Sequence, residues 1–448
     1  MKYSKEQWRL LDNSASFVRL RGESATGKTT ALVGYARQRA STSSLFIVKD
    51  MAQKRYVEKL GVPGSTKVET LFGLAYQGLG RPRYDRTDSV VARAIKTIEA
   101  VPLSLFQSRD QAQRLYQLVL ALQTIEHFCH TGDKQITNAH TPYRKSREHR
   151  EFTVQHVVVL ARAVWQSMVE RGRFLPTRAA VVKQWTLSQP LAVAESIIVD
   201  DAESCPVAAT DFLLSHSGAK VIAGNDWQSE FDSYDDHLLE VIGLAANADV
   251  MFTQSYAVGS AMLKLARDVV EMKRPSGRRL PLAENAFGVT GSISNGQAES
   301  IKHLMFESDL ARFLFLASKD PGETNVGMGG GQYGIDQVTL ELCVADPAIV
   351  EQLGGCLGDR SMAAFAELLL TKGSERGAFV EGLVAQLVSP EKANIVLLDA
   401  TAKGFQRYPI VGLSSSFSVA IRERGSLGVG SACHAITRAT EQLTYMRD

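Results

Sequence analysis

The sequence predicts an α/β protein whose strands lie parallel and are covered by helices on both faces. Three observations lead there. A glycine-containing run, Gly22 to Thr30, sits between a strand-like and a helix-like stretch. Short apolar runs alternate with amphipathic ones both before residue 88 and after residue 187. Between those limits, long amphipathic stretches carry few strand signals, as an inserted helical segment would. Strands that alternate with helices need crossover connections, and these produce parallel sheets buried on both sides.

In chain order, Phe17-Val18-Arg19-Leu20 reads as a strand and Ala31 to Ala36 as a helix. Leu45 to Val48 is a short buried strand, Met51 to Leu60 a helix, and Gly61 to Ser65 a turn. A helix is expected to open near Val68-Glu69-Thr70 and to carry Leu71, Leu74 and Ala75 on one face. Gln111 to Phe128 and Val154 to Arg171 are the long amphipathic stretches of the inserted segment. Its basic run, Tyr143 to Arg150, is either a phosphate-backbone contact or a solvated loop. Strand signals return at Ile197-Ile198-Val199, Lys220 to Gly224 and Val250 to Thr253, and a helix follows from Ser260 to Glu271. Lys273 to Arg279 reads as an exposed basic connection, and the glycine-rich Asn325 to Gly334 as a flexible linker. Helices are expected over residues 346–388, strands at Asn394 to Leu398 and Ile410 to Leu413, and a closing helix from Ser431 to Glu441.

Gly22-Glu23-Ser24-Ala25-Thr26-Gly27-Lys28-Thr29-Thr30 is a full G-x-x-x-x-G-K-[ST] phosphate loop in strand-to-helix context. Its glycines let successive N–H groups point at phosphate oxygens, and the helix N-terminus adds positive dipole. Lys28 would reach the β- and γ-phosphates, and Thr29 would offer its hydroxyl to Mg²⁺. The four fixed positions match by chance in roughly one or two of a hundred chains this long; the alternative is a left-handed turn that binds nothing. A metal-holding acid is needed at a neighbouring strand end, and Asp200, after Ile197-Ile198-Val199, is placed for it. Asp201 would polarise the attacking water, unless the acidic pair is a helix cap. Gln228, in Gly224 to Ser229, lies just past a strand and would feel the γ-phosphate. Arg438, expected on the closing helix, is either an arginine finger or a surface arginine paired with Glu441 or Glu423.

Composition bounds the reading. The 448 residues suffice for several domains, and 45% apolar with 22% charged residues is a globular balance. A net charge of +2 excludes a strongly basic nucleic-acid coat but not a local basic groove. Cys129, Cys205, Cys343, Cys356 and Cys433 are widely spaced without a C-x-x-C pair, so neither zinc nor a disulfide framework is expected. Met1 to Gln7 lacks a signal peptide's apolar core and no apolar run reaches membrane length, so a cytoplasmic protein without a membrane partner is expected.

Taken in order, these segments resemble the UvrD/Rep-like superfamily 1 DNA helicases. Ser4 to Gln7 looks like their adenine-recognising glutamine motif, and Gly22 to Thr30 is similar to their first ATP motif. Thr70 to Tyr76 is similar to "TxHSLAY", and Val199 to Glu203 stands where the family has "DEAQD". Gly224 to Ser229 resembles "GDDQQS", and Thr253 to Gly259 resembles "TQSFRFG". Ala402-Lys403-Gly404-Phe405-Gln406 echoes "SKGLE", and Ala435 to Leu443 matches "AVTRAKEQL".

The resemblance implies two RecA-like motor domains, each with a mainly helical insertion, and ATP between them. It places residues 1–87 and 188–240 in the first domain and 88–187 in its insertion. The second takes 241–289 and 391–448, with 290–390 as its insertion. Gln7 would read adenine, Tyr256 would stack on it, Gly404 would line the nucleotide site, and Arg438 would contact the γ-phosphate. ATP and Mg²⁺ are the implied cofactors. Single-stranded DNA is the implied partner, with RNA as the alternative, and the motor would act as a monomer moving 3′ to 5′. Several positions depart from the family. Asp201 replaces glutamate, Ala257 an arginine, Gln406 a glutamate and Phe72 a histidine, and the threonine and histidine before the fifth motif are missing. Acidic residues follow Gln228 where the family has arginines. These departures motivate a second reading, an ATP-binding switch or scaffold for a protein partner with little or no turnover.

Overall fold

The computed structural model describes residues 3–87, 89–142, 154–170, 174–225, 238–273, 284–296, 301–306, 308–319, 325–329, 337–357, 359–399, 408–414, 417, 432 and 435–446. The chain opens with α1 (Lys5–Leu11), β1 (Phe17–Gly22), α2 (Lys28–Gln38), β2 (Ser44–Val48), α3 (Met51–Leu60), β3 (Thr66–Thr70) and α4 (Leu71–Gly78). A helical stretch follows, with α5 (Val90–Thr97), α6 (Gln111–His130), α7 (Val154–Val169) and α8 (Arg178–Leu187). Alternation resumes with β4 (Ser196–Val199), α9 (Thr210–Leu214), β5 (Ala219–Gly224), α10 (Leu238–Gly243) and β6 (Ala248–Phe252). Beyond lie β7 (Gln254–Ser255), α11 (Ser260–Lys273), β8 (Glu284–Asn285), β9 (Ser292–Gly296), β10 (His303–Phe306), α12 (Asp309–Ala317) and β11 (Val326–Gly329). The rest is α13 (Gln337–Ala345), α14 (Pro347–Leu357), α15 (Arg360–Lys372), α16 (Arg376–Ala385), β12 (Leu387–Val388), β13 (Ile395–Asp399), β14 (Tyr408–Leu413) and β15 (Ala439–Met446).

Two parallel sheets organise these elements, as the α/β reading expects. The first has the order β3-β2-β4-β5-β1-β6. Its strands β2 and β4 are buried along their whole length and, but for one serine each, apolar, because both faces are covered. Along β4, Ile197 and Val199 join one core with Phe17, Ile47 and Ile222, while Ile198 joins the opposite core with Leu20, Leu32 and Phe46. That is the period of two a strand imposes. In register, Ile47 pairs with Val199 and Val18 with Val221, so the chain leaves β1, β2, β4 and β5 at one common edge. The second sheet has the order β12-β11-β13-β10-β14-β15-β9. Along β13, Ile395 and Leu397 face one core and Val396 and Leu398 the other.

The segment from α5 to α8 is helical as expected, around Leu118, Leu122, Ile125, Phe128 and Val164. Tyr116 and Leu120 of α6 also enter a core of the second sheet, so the inserted helices brace both halves. No disulfide joins Cys129, Cys205, Cys343 and Cys356.

Other expectations are corrected. Val68 to Thr70 is the end of β3, not a helix start: β3 pairs with β2, and Thr70 Oγ1 accepts the Gly73 N–H at 2.9 Å, so α4 opens one residue later. Val326–Gly329 is not a linker but a strand between β12 and β13. Its glycine reflects close approach: a Cβ on Gly327 would lie 2.9 Å from Ala393 Cβ and 3.1 Å from Pro390 Cα. The closing helix ends sooner than expected: Ala435 and Ile436 are helical, Thr437 and Arg438 turn, and from Ala439 the chain is β15, which pairs with β14 and β9. β6, inside 241–289, pairs with β1, and β9, β10 and β11, inside 290–390, belong to the second sheet. Short polar or glycine-rich strands carry little local signal, so 290–390 resembled an insertion. The basic runs at 143–150 and 274–279 lie outside the described residues.

Candidate nucleotide site

β1 delivers the chain to Gly22, where a Cβ would stand 2.7 Å from Thr26 Oγ1 and 3.1 Å from Phe252. Ala25 (φ 59°) and Gly27 (φ 80°) are left-handed and curl the loop, and Thr26 Oγ1 closes it on the Glu23 carbonyl at 2.9 Å. Gly27 stands at the N-cap of α2 with no side-chain cap, and the first turn of α2 holds no acidic residue. The helix N-terminus therefore keeps its positive dipole for an anion. Lys28, buried, folds back to donate to the carbonyls of Gly22 at 2.7 Å and Glu23 at 3.0 Å.

The acid strand arrives beside it. Thr29 Oγ1 donates to Asp200 Oδ2 at 2.6 Å across 171 residues of sequence. Asp200 is fully buried, and burial, then the charge of Asp201, pushes its carboxyl up to about 7. Asp201 is left-handed (φ 53°), and its side chain does not cap the short helical turn that follows. Glu203 is half-buried as a residue, yet its carboxylate lies against Gly224 and accepts the Asn225 N–H at 3.0 Å. Burial first, then Asp201, raises Glu203 to about 8. Gln53 Nε2 donates to Asp200 Oδ2 at 2.8 Å and to Asp201 Oδ2 at 2.9 Å.

The side of the loop away from Asp200 is assembled from three segments. Ser4 and Gln7 form a reciprocal cap at the start of α1, and Gln7 Nε2 donates to the Gly27 carbonyl at 3.2 Å. The Tyr256 N–H donates to the Ala25 carbonyl at 2.8 Å, and its ring lies next to Gly27. Ser255 Oγ donates to the Ser24 carbonyl at 3.0 Å. Glu6 accepts from the Thr253 hydroxyl at 2.6 Å and from the N–H groups of Thr253 and Gln254. Arg267 of α11 reaches Glu23 Oε1 at 2.8 Å.

The structure therefore brings Gln7, Gly22 to Thr30, Asp200, Asp201 and Tyr256 to one sheet edge. Arg438 is not a surface arginine. It is buried in a turn between Ile436 and Ala439, which belong to the core on which Ala25 of the loop packs. Gln228 and Gly404 lie outside the described residues. Gln53, Glu203 and Arg267 were not singled out from the sequence. Gln53 and Arg267 lie on ordinary helices, and only the spacing of Glu203 from Asp200 could have drawn attention to it.

No family model matches the sequence. A stretch of 247 residues is 26% identical to F-box DNA helicase 1 of Gallus gallus. The sequence similarity is to a DNA helicase. The match covers 51% of this chain and 24% of that protein, so the chain spans about a quarter of that relative's length. Among solved structures, the arterivirus nonstructural protein 10 helicase gives a TM-score of 0.34 at 10% identity, covering 98% of this chain and 61% of that one. The PRRSV helicase gives 0.34 at 11% identity, covering 98% and 54%.

The chemistry present fits a triphosphate with a hard divalent cation. Among the described residues no group of three or more His, Cys, Asp or Glu could hold a metal. A Mg²⁺ ion needs less, since it keeps waters and takes one or two carboxylates plus substrate phosphates. Thr29 and Asp200 offer hydroxyl and carboxylate oxygens side by side. No helix among the described residues is long and apolar enough to cross a membrane.

Proposed function

We propose that this chain is an ATP-dependent DNA helicase or translocase acting on single-stranded DNA. The observation that carries the reading is the meeting of Thr29 with Asp200 beside Lys28 at the open edge of a parallel sheet. The sequence similarity to a DNA helicase supports it.

Each residue has a task in this reading. Lys28 exchanges the Gly22 and Glu23 carbonyls for the β- and γ-phosphates, and the loop N–H groups cradle the same oxygens. Thr29 and Asp200 hold Mg²⁺, which when bound neutralises charge on the phosphates. Asp201 accepts from the attacking water. Gln7 and Tyr256 take the adenine, and Gln228 and Arg438 sense the γ-phosphate. The two sheets would close and open on the strand with each turnover.

ATP turnover with and without single-stranded DNA tests the proposal. Turnover is expected to rise about tenfold or more with DNA, and Lys28→Ala to reduce it by about a hundredfold or more. Nucleotide binding without any stimulation by DNA or RNA would reject a motor, and competition between the two would decide the substrate. One observation favours a second reading, an ATP-binding switch that serves a protein partner. Asp201 is a methylene shorter than glutamate and one of its oxygens is already engaged by Gln53. That reading expects tight ATP binding, negligible turnover and no effect of Asp201→Ala.

A further inference from the structure

Gln53 is fully buried, and its amide is spent entirely on the acids of the site and one backbone group. It occupies the third position of α3, where Asp50 caps the helix by accepting the Gln53 N–H at 2.8 Å. Gln53 Oε1 accepts the Lys49 N–H at 2.7 Å. That contact settles which way the amide lies. A flipped amide would set oxygen against two carboxylates and NH₂ against an N–H. Nε2 therefore faces the acids, and its two hydrogens go to different ones, Asp200 and Asp201. The pairing of β2 with β4 brings the start of α3 to the end of β4.

Asp201 is restrained from other directions too. Its backbone is left-handed, and its N–H donates to Asp200 Oδ1 at 3.2 Å. Oδ2 belongs to Gln53, while Oδ1 accepts from no other described residue. A short carboxylate that must reach a water needs its rotamer fixed, because small misplacements cost large factors in rate.

We propose that Gln53 is a positioning residue: it ties Asp201 Oδ2 beside Asp200 and thereby presents Oδ1 to the attacking water. The role rests on the nucleotide reading above. In the step concerned, water oxygen bonds to the γ-phosphorus as the bond to the bridging oxygen breaks. ADP leaves with the electron pair, inorganic phosphate forms, and the water's proton passes to Asp201 Oδ1 and on to solvent. Gln53 acts through Asp201, its amide being engaged by Lys49, Asp200 and Asp201. An uncharged amide suits the task, since it offsets repulsion between adjacent carboxylates without competing with Mg²⁺ for charge.

The test compares equilibrium binding of Mg²⁺·AMP-PNP with that of Mg²⁺·ADP·aluminium fluoride, which imitates the transition state. Gln53→Met keeps the volume without a donor, Gln53→Glu keeps the shape but replaces the donor by an acceptor, and melting curves establish that each is folded. Gln53→Met is expected to bind AMP-PNP within about twofold of wild type and the transition-state analogue about tenfold more weakly, with kcat falling by the same factor and KM little changed. Asp201→Asn should add little in the Gln53→Met background, because both changes remove one interaction. Equal losses for the two ligands, no loss for either, or full additivity with Asp201→Asn would overturn the role. A wild type that binds both ligands but never turns over ATP defeats the motor reading alone, since the analogue comparison still decides Gln53. A wild type that binds neither defeats both.

Discussion

Asp200 shows how a single position couples stability to the site. It ends an apolar strand, so folding strips its carboxylate of water before any ligand arrives. Its carboxyl moves from an ordinary 3.8 to about 7, and that of Glu203 from 4.5 to about 8, in each case by burial first and Asp201 second. The folded chain therefore holds protons that the unfolded chain has released between those values. The associated stability is complete below the unfolded values and is lost as pH rises through the folded ones. Nucleotide-free protein is expected to melt at lower temperature at pH 8 than at pH 5.5. Asp200→Asn should flatten that dependence and gain on the order of a few kcal/mol on wild type at pH 8. Melting curves of both proteins across this range check it, and parallel curves would contradict it. Gly27 makes the complementary point for the backbone. Its φ of 80° is one that side-chain-bearing residues rarely adopt, and a Cβ there would stand 2.6 Å from Gln7 Nε2 and displace that amide.

At the scale of elements, β11 separates two accounts of the glycine-rich segment. As a linker it would tolerate a side chain. As a strand between β12 and β13, with Gly327 against Ala393 and Pro390, it would not. Gly327→Val is expected to cost about 1–3 kcal/mol by overpacking, measured by denaturant unfolding. A neutral substitution would restore the linker. The inserted helices are pinned by a different device. Lys183 of α8 is buried, donates to the carbonyls of Thr131 at 2.8 Å and Asp133, and lies 4.3 Å from the centre of the Phe128 ring. Burial lowers its pKa to about 8, and the carbonyls and the ring face supply the polar partners its ammonium needs. The helices were legible because α6 and α7 are long and periodic; this pin was not, because it joins residues some fifty positions apart.

In the molecule as a whole, the phosphate loop is where the two halves meet. Ser24 and Ala25 bond to Ser255 and Tyr256, Glu23 pairs with Arg267, and Ala25 packs on the core of the second sheet. A triphosphate arriving there would touch the joint itself. Arg267 offsets the charge of Glu23 where, in the proposed function, still more negative charge would bind. Arg267→Ala is expected to weaken ATP binding about tenfold, and Glu23→Gln in the same background to recover most of the loss. A double-mutant cycle on equilibrium binding measures the coupling. Additive effects would mean that the pair does not link nucleotide to the second sheet.

By itself the sequence determined the α/β class, the glycine-containing loop between β1 and α2, the buried strands β1, β2, β4 and β5, and Asp200 at a strand end. Each is written in contiguous residues, as an apolar run, a glycine spacing or a strand-to-helix change of period. The tertiary structure alone decided that Val326–Gly329 and Ala439–Met446 are strands, because their stability comes from partners distant in sequence. It also decided that Gln53 holds both acids, that Arg267 meets the loop, and that Arg438 is buried. Those facts depend on which strands lie side by side, and no local periodicity encodes that.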